Sequence, residues 1–175
     1  SKDSQLVRGE SISDTARVLS RFADIILFRT DSHQKLLALA EYSSIPVING
    51  LTDYSHPCQI LADIMTLEEH LGSINGKTVT WVGDGNNVAM SWLHASTKFD
   101  FKLRIATPRE LHLPSVKVDW AISQGSNIEI YNEAKKAVKD TDCVVADTWV
   151  SMGADIDREK QIDLLRPFQV NSDLM

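Results

Sequence analysis

What most constrains the fold is an alternation. Ile25-Ile26-Leu27-Phe28, Pro46-Val47-Ile48-Asn49, Thr78-Val79-Thr80-Trp81-Val82, Leu103-Arg104-Ile105-Ala106, Ile128-Glu129-Ile130-Tyr131 and Cys143-Val144-Val145-Ala146 are short strand-like runs, and a helical pattern follows each of the first five. The first and last are continuously apolar, as strands buried on both faces are. Strands separated by helices pair in parallel, because the crossover is long enough to bring the chain back to the same end of the sheet. The expectation is an α/β protein of parallel sheets flanked by helices. An opening helix is expected after Ser11-Ile12-Ser13-Asp14, with Val18, Leu19 and Phe22 as its apolar stripe, and others over residues 33–42, 88–99, 116–124, 133–139 and 158–165. Pro167-Phe168-Gln169-Val170 reads as the start of a further strand.

Gly50-Leu51-Thr52-Asp53-Tyr54-Ser55-His56-Pro57-Cys58-Gln59 leads straight into a helix. Ile60, Ile64, Leu67 and Leu71 share one face of it, and Gly72 stops it. Pro57 suits the first helical position, where its missing N–H costs nothing, and it holds His56 extended just outside the helix mouth. Gln59 lies on the first turn. Unpaired N–H groups and the positive dipole end make such a place suitable for an anionic or carbonyl-bearing ligand. The plain alternative is a capped helix with a surface histidine.

Further candidates stand at strand ends. Arg29 closes the first strand at the carboxyl edge, where open parallel sheets place ligands, and His56 follows the next strand; otherwise Arg29 is a solvated cation. Asn86 and Asn87 sit in the Gly83-Asp84-Gly85-Asn86-Asn87 turn, to serve a polar ligand or merely to suit unusual backbone angles. Asp147 closes the last strand ahead of Thr148-Trp149-Val150-Ser151-Met152-Gly153, although aspartate is also a common strand-ending residue. Gly76-Lys77-Thr78 is no phosphate loop, because Leu71 stands where a glycine is required and the tripeptide precedes its strand. The dinucleotide fingerprint fails too: Val88 replaces its third glycine and Thr107-Pro108 follows the next strand where an acidic ribose ligand would be.

Composition narrows the function classes. The 175 residues are 43% apolar and 24% charged, with net charge −6, the profile of a soluble globular protein. No basic cluster offers a nucleic-acid footprint. No apolar stretch approaches the ~18 residues of a membrane span, no signal-peptide pattern opens the chain, and a cytoplasmic protein is expected. Cys58 and Cys143 have neither disulfide-framework nor zinc-site spacing, so no metal is expected. The chain opens on Ser1, not methionine, so residues upstream are expected.

His56-Pro57-Cys58-Gln59, the Gly83-to-Asn87 turn and Asp147-Thr148-Trp149-Val150-Ser151-Met152-Gly153, in this order, resemble the transcarbamoylases, and the ornithine carbamoyltransferases in particular. The resemblance extends over essentially the whole chain. It implies two lobes, the second Rossmann-like: residues 1–56 from the carbamoyl phosphate-binding domain, an interdomain helix over 57–72, and an ornithine-binding domain over 73–175. The family reaction moves a carbamoyl group from carbamoyl phosphate to the side-chain amine of L-ornithine, giving citrulline and phosphate without cofactor, in arginine biosynthesis or degradation. Arg29, His56 and Gln59 match its catalytic carbamoyl phosphate contacts. Asn87, Asp147, Ser151 and Met152 match its ornithine contacts. A homotrimer is implied as well. The family's upstream Ser-Thr-Arg-Thr phosphate element and downstream His-Cys-Leu-Pro element do not occur in these residues. Both lobes are therefore expected to be incomplete and the isolated chain inactive. The rival expectations are a carbamoyltransferase for another amine such as putrescine, and a non-catalytic amino-acid-binding remnant.

Overall fold

The structure, a computed structural model, describes residues 10–150 and 157–175. It divides into two compact units at Gln59/Ile60. The first holds α1 (Ile12–Leu19), β1 (Ile26–Arg29), α2 (His33–Tyr42) and β2 (Val47–Leu51), and α3 (Pro57–Leu71) carries the chain onward into the second. The second continues with β3 (Thr78–Val82), α4 (Asn87–Ala95), β4 (Lys102–Ala106), α5 (Ser115–Ser123), β5 (Asn127–Tyr131), α6 (Ala134–Ala137), β6 (Cys143–Val145) and α7 (Arg158–Leu165). Short 3-10 turns lie at Arg109–Leu111 and Arg166–Phe168. Every strand pair is parallel. Among the described residues no helix is long and apolar enough to cross a membrane.

In the first unit β1 and β2 pair from Ile26↔Val47 to Arg29↔Leu51, with a register shift between Phe28 and Arg29. Ala16, Ile26 and Leu39 form its core, with Ile12, Phe28, Ile45 and Val47 packed around them. Ser11 caps α1 as its sequence suggests, accepting from the Asp14 N–H at 3.1 Å. The expected burial of the first strand on both faces is not met. Ile26 is buried, but Ile25 and Leu27 are largely exposed, since among the described residues the two-stranded sheet is packed on one face only.

The second unit's sheet has the order β5-β4-β3-β6. Val79, Trp81, Leu103 and Ile105 on its central strands are fully buried, together with Trp92 and Leu93 of α4. Ile60, Ile64 and Leu67 bury the predicted face of α3, which ends where Gly72 takes φ +74°; Leu71, the fourth member of that face, is exposed. Pro167-Phe168-Gln169-Val170 is not a strand. Pro167 lies in the first turn of the 3-10 segment that continues α7, and Phe168 is drawn into a cluster with Val82, Ala106, Ala134 and Ala137. Two expected helices are shorter than their patterns: α4 stops at Ala95 and α6 is a single turn, Ala134–Ala137.

The strand order has a functional consequence. From β3 the chain moves outward through β4 to β5, then returns to place β6 on the other side of β3. The carboxyl ends of β3 and β6 therefore flank a topological switch point, the position at which open α/β sheets hold ligands.

Candidate functional site

The loops at this switch point are built from the residues singled out by their spacing. Beyond β3, Gly83 takes φ +143°, a backbone conformation closed to most side chains. Gly85 lies so near Leu111 that a Cβ there would meet the Leu111 carbonyl oxygen at 2.1 Å. The turn thus delivers Asn86 to the N-cap of α4, where its Oδ1 accepts from the N–H groups of Val88 at 2.9 Å and Ala89 at 3.1 Å. Unusual backbone angles do not explain the asparagine, since Asn86 is extended at φ −82°. Its Nδ2 donates to Asp147 Oδ2 at 3.2 Å, joining the turn after β3 to the segment after β6. Asp147 Oδ1 accepts from the Thr148 N–H at 2.7 Å, and the Asp147 carboxylate is exposed. Asn87 is the first residue of α4, half-buried beside this contact.

Two more side chains converge here. Asp84 is half-buried, and Gln161 of α7, 9% exposed, donates to its Oδ2 at 3.1 Å and to the Trp149 carbonyl at 2.7 Å. Loss of solvent pushes the Asp84 carboxyl above its ordinary range, and the nearby Asp147 charge adds to this; the Gly85 N–H and the Gln161 amide pull the other way. Two acidic groups beside an N-cap amide suit an ammonium group better than an anion. Ser151 and Met152 lie outside the described residues.

The first unit presents its own candidates at the ends of neighbouring strands. Arg29 closes β1, exposed. His56 is half-buried immediately before Pro57, and Gln59 lies exposed on the first turn of α3, its N–H reaching the His56 carbonyl at 3.2 Å. The loop between β2 and α3 is tightly bound. The fully buried Thr52 accepts through Oγ1 from the N–H groups of Ser55 at 3.1 Å and Tyr54 at 3.3 Å and meets His33 Nδ1 at 3.0 Å. Asn49 Nδ2 donates to Ser55 Oγ at 2.9 Å, and Cys58 Sγ donates to the Asn49 carbonyl at 3.3 Å. A half-buried histidine between this tightly bound loop and the helix mouth has the means to polarise a carbonyl. Among the described residues no three His, Cys, Asp or Glu side chains cluster so as to hold a metal ion.

Comparison with known proteins matches both halves. Residues 75–175 fit the model of the aspartate/ornithine carbamoyltransferase Asp/Orn binding domain, and residues 1–69 that of the carbamoyl-P binding domain. The chain belongs to the aspartate/ornithine carbamoyltransferase family. It is 55% identical over 98% of its length to an ornithine carbamoyltransferase of Nitrobacter winogradskyi, of which it covers 55%, and 50% identical over 98% to one of Brucella ovis, of which it covers 54%. Among solved structures, the ornithine carbamoyltransferase of Pyrococcus furiosus superposes with a TM-score of 0.89 at 47% identity over 99% of this chain and 56% of that one. The anabolic ornithine carbamoyltransferase of Campylobacter jejuni gives 0.90 at 34%, over 99% and 59%. The chain thus spans about half the length of the curated relatives it matches.

Three members of the cluster at the switch point are not singled out by the sequence alone: the carboxylate of Asp84, Asn86 as the link to Asp147, and Gln161. Gln161 was the hardest to see, since Arg158-Glu159-Lys160 before it is wholly exposed. One signal was present: Gln161 and the fully buried Leu165 are four residues apart on one helix face.

Proposed function

We propose that the protein containing this chain transfers the carbamoyl group of carbamoyl phosphate to the side-chain amine of L-ornithine. The observation that supports this most is the Asn86–Asp147 hydrogen bond at the switch point, which joins the two sequence elements assigned to the amino-acid acceptor. Asp147 pairs with the α-ammonium, Asn87 contacts the same substrate, and Ser151 and Met152 supply the remaining contacts. Arg29, His56 and Gln59 hold carbamoyl phosphate, and their N–H donors stabilise the oxyanion as the neutral amine attacks the carbonyl carbon. The new N–C bond forms, the C–O bond to phosphate breaks, the amine loses a proton and phosphate leaves with the electron pair. Orientation of the two substrates supplies much of the rate. The family resemblance carries three further parts of the proposal: a homotrimer, a cytoplasmic location and a place in arginine synthesis or breakdown.

The test is carbamoyl transfer by the full-length protein to ornithine, putrescine and aspartate in competition. Ornithine is expected to be consumed first. Asp147→Asn should raise the ornithine KM by about tenfold or more, as loss of a charged hydrogen-bond partner does, and His56→Ala should lower kcat by about a hundredfold. Preferred consumption of putrescine, or an unchanged ornithine KM in Asp147→Asn, would sink the assignment.

A further inference from the structure

Gln161 is a buried carboxamide on a polar helix. Its neighbours Arg158, Glu159 and Lys160 are exposed, and Asp163 is exposed on the next turn. A glutamine buried at 9% exposure must place its amide hydrogens, and here one nitrogen spends both of them, on Asp84 Oδ2 and on the Trp149 carbonyl. The two acceptors belong to different strand ends: Asp84 to the turn that leads into Asn86 and Asn87, Trp149 to the segment that begins at Asp147. On the other side of Asp84, its carbonyl accepts from Trp81 Nε1 at 2.9 Å, fixing the turn to a fully buried side chain. The Asn86–Asp147 contact is exposed and 3.2 Å long. By itself it is a weak tie.

We propose that Gln161 is a positioning residue for the acceptor side of the site, its amide bridging Asp84 and the Trp149 carbonyl so that Asp147 is held beside Asn86 and Asn87. This rests on the reading in which Asp147 and Asn87 hold ornithine. The amide touches no substrate; it acts through the segment two residues from Asp147. Without it, turn and segment lose a buried bridge and keep the exposed Asn86–Asp147 hydrogen bond. Displacement of a binding group by about 1 Å is enough to lose orders of magnitude in rate.

The experiment compares Gln161→Leu, Gln161→Glu and Gln161→Arg in the full-length protein. Gln161→Leu keeps the bulk and removes both donors, so the ornithine KM should rise about tenfold while the carbamoyl phosphate KM stays within about twofold. Gln161→Arg keeps donors for both oxygens and should stay within about threefold of the parent on ornithine. Gln161→Glu sets a carboxylate against Asp84, and the ratio of its ornithine KM to the parent's at the same pH should be raised at neutral pH and fall back toward one at about pH 5 as the pair takes up a proton. That recovery also serves if Gln161→Leu does not fold. An unchanged ornithine KM in Gln161→Leu, equal rises in both KM values, or a Gln161→Glu defect independent of pH would overturn the proposal. Asp147→Asn is measured alongside. If it leaves the ornithine KM unchanged, the acceptor assignment itself fails; if it raises KM and Gln161→Leu does not, only the positioning role falls.

Discussion

At Gly85 the missing side chain is a packing requirement. A Cβ would lie 2.1 Å from the Leu111 carbonyl oxygen and 3.0 Å from the Leu113 nitrogen, both backbone atoms that cannot swing aside. Gly85→Ala should therefore cost about 3 kcal/mol, measured by urea unfolding, a penalty of overpacking. Asp84, next to it, carries the opposite kind of tension. Its folded-state pKa is raised, chiefly by burial, so as pH climbs through the carboxylate range the unfolded chain gives up its proton first and the folded state loses relative stability. Asn at this position does not titrate, and its Oδ1 still accepts from Gln161. The stability difference between Asp84→Asn and the parent should thus move in favour of the variant from about pH 3 to about pH 7, read from urea midpoints. A flat difference across that range would show that Asp84 does not feel its burial.

Helix α4 shows how one element serves two ends. Asn86 caps it through Oδ1 and reaches Asp147 through Nδ2, so stability and site geometry share a side chain but not an atom. Asn86→Asp keeps the capping oxygen, gives up the amide donor and sets a negative charge against Asp147. Thermal stability should change by less than about 1 kcal/mol while the ornithine KM rises several-fold; Asn86→Ala should lose about 1 kcal/mol from the cap as well. Local chemistry is what the sequence made readable. Pro57 and Gly72 mark the ends of α3, Ser11 caps α1, and the glycines of residues 83–87 announce a turn, each because its backbone geometry depends on near neighbours. The placing of β6 against β3 was not readable, because Val79 pairs with Cys143 across a long stretch of chain that no local pattern encodes. Nor was the fate of Pro167 and Phe168, where burial against Val82 and Ala106 outweighed a strand-like composition. The candidate residues divide in the same way: strand ends point to Arg29 and His56 in the first unit and to Asn87 and Asp147 in the second, whereas the tertiary contacts of Asp84 and Gln161 left almost no trace in sequence.

On the scale of the molecule, the two units differ in how much they enclose. The second has central strands with Val79, Trp81, Leu103 and Ile105 fully buried; the first leaves Leu27 and Ile48 of its small sheet open, and Ile25 just before it. Amide hydrogen exchange should follow that difference, slowest at β3 and β4, faster at β1 and β2. Uniform exchange across both would mean that the units open only together. Within the second unit, β6 has three residues and lies at the edge of the described sheet, paired to β3 alone. A strand that short contributes little to its own retention. A ligand held by both Asn87 and Asp147 would also clasp this border of the sheet, and by mass action its concentration would set how often the border frays. On the proposed reading, a bound amino acid is in this sense a removable part of the fold, and the site without it keeps its loosest seam.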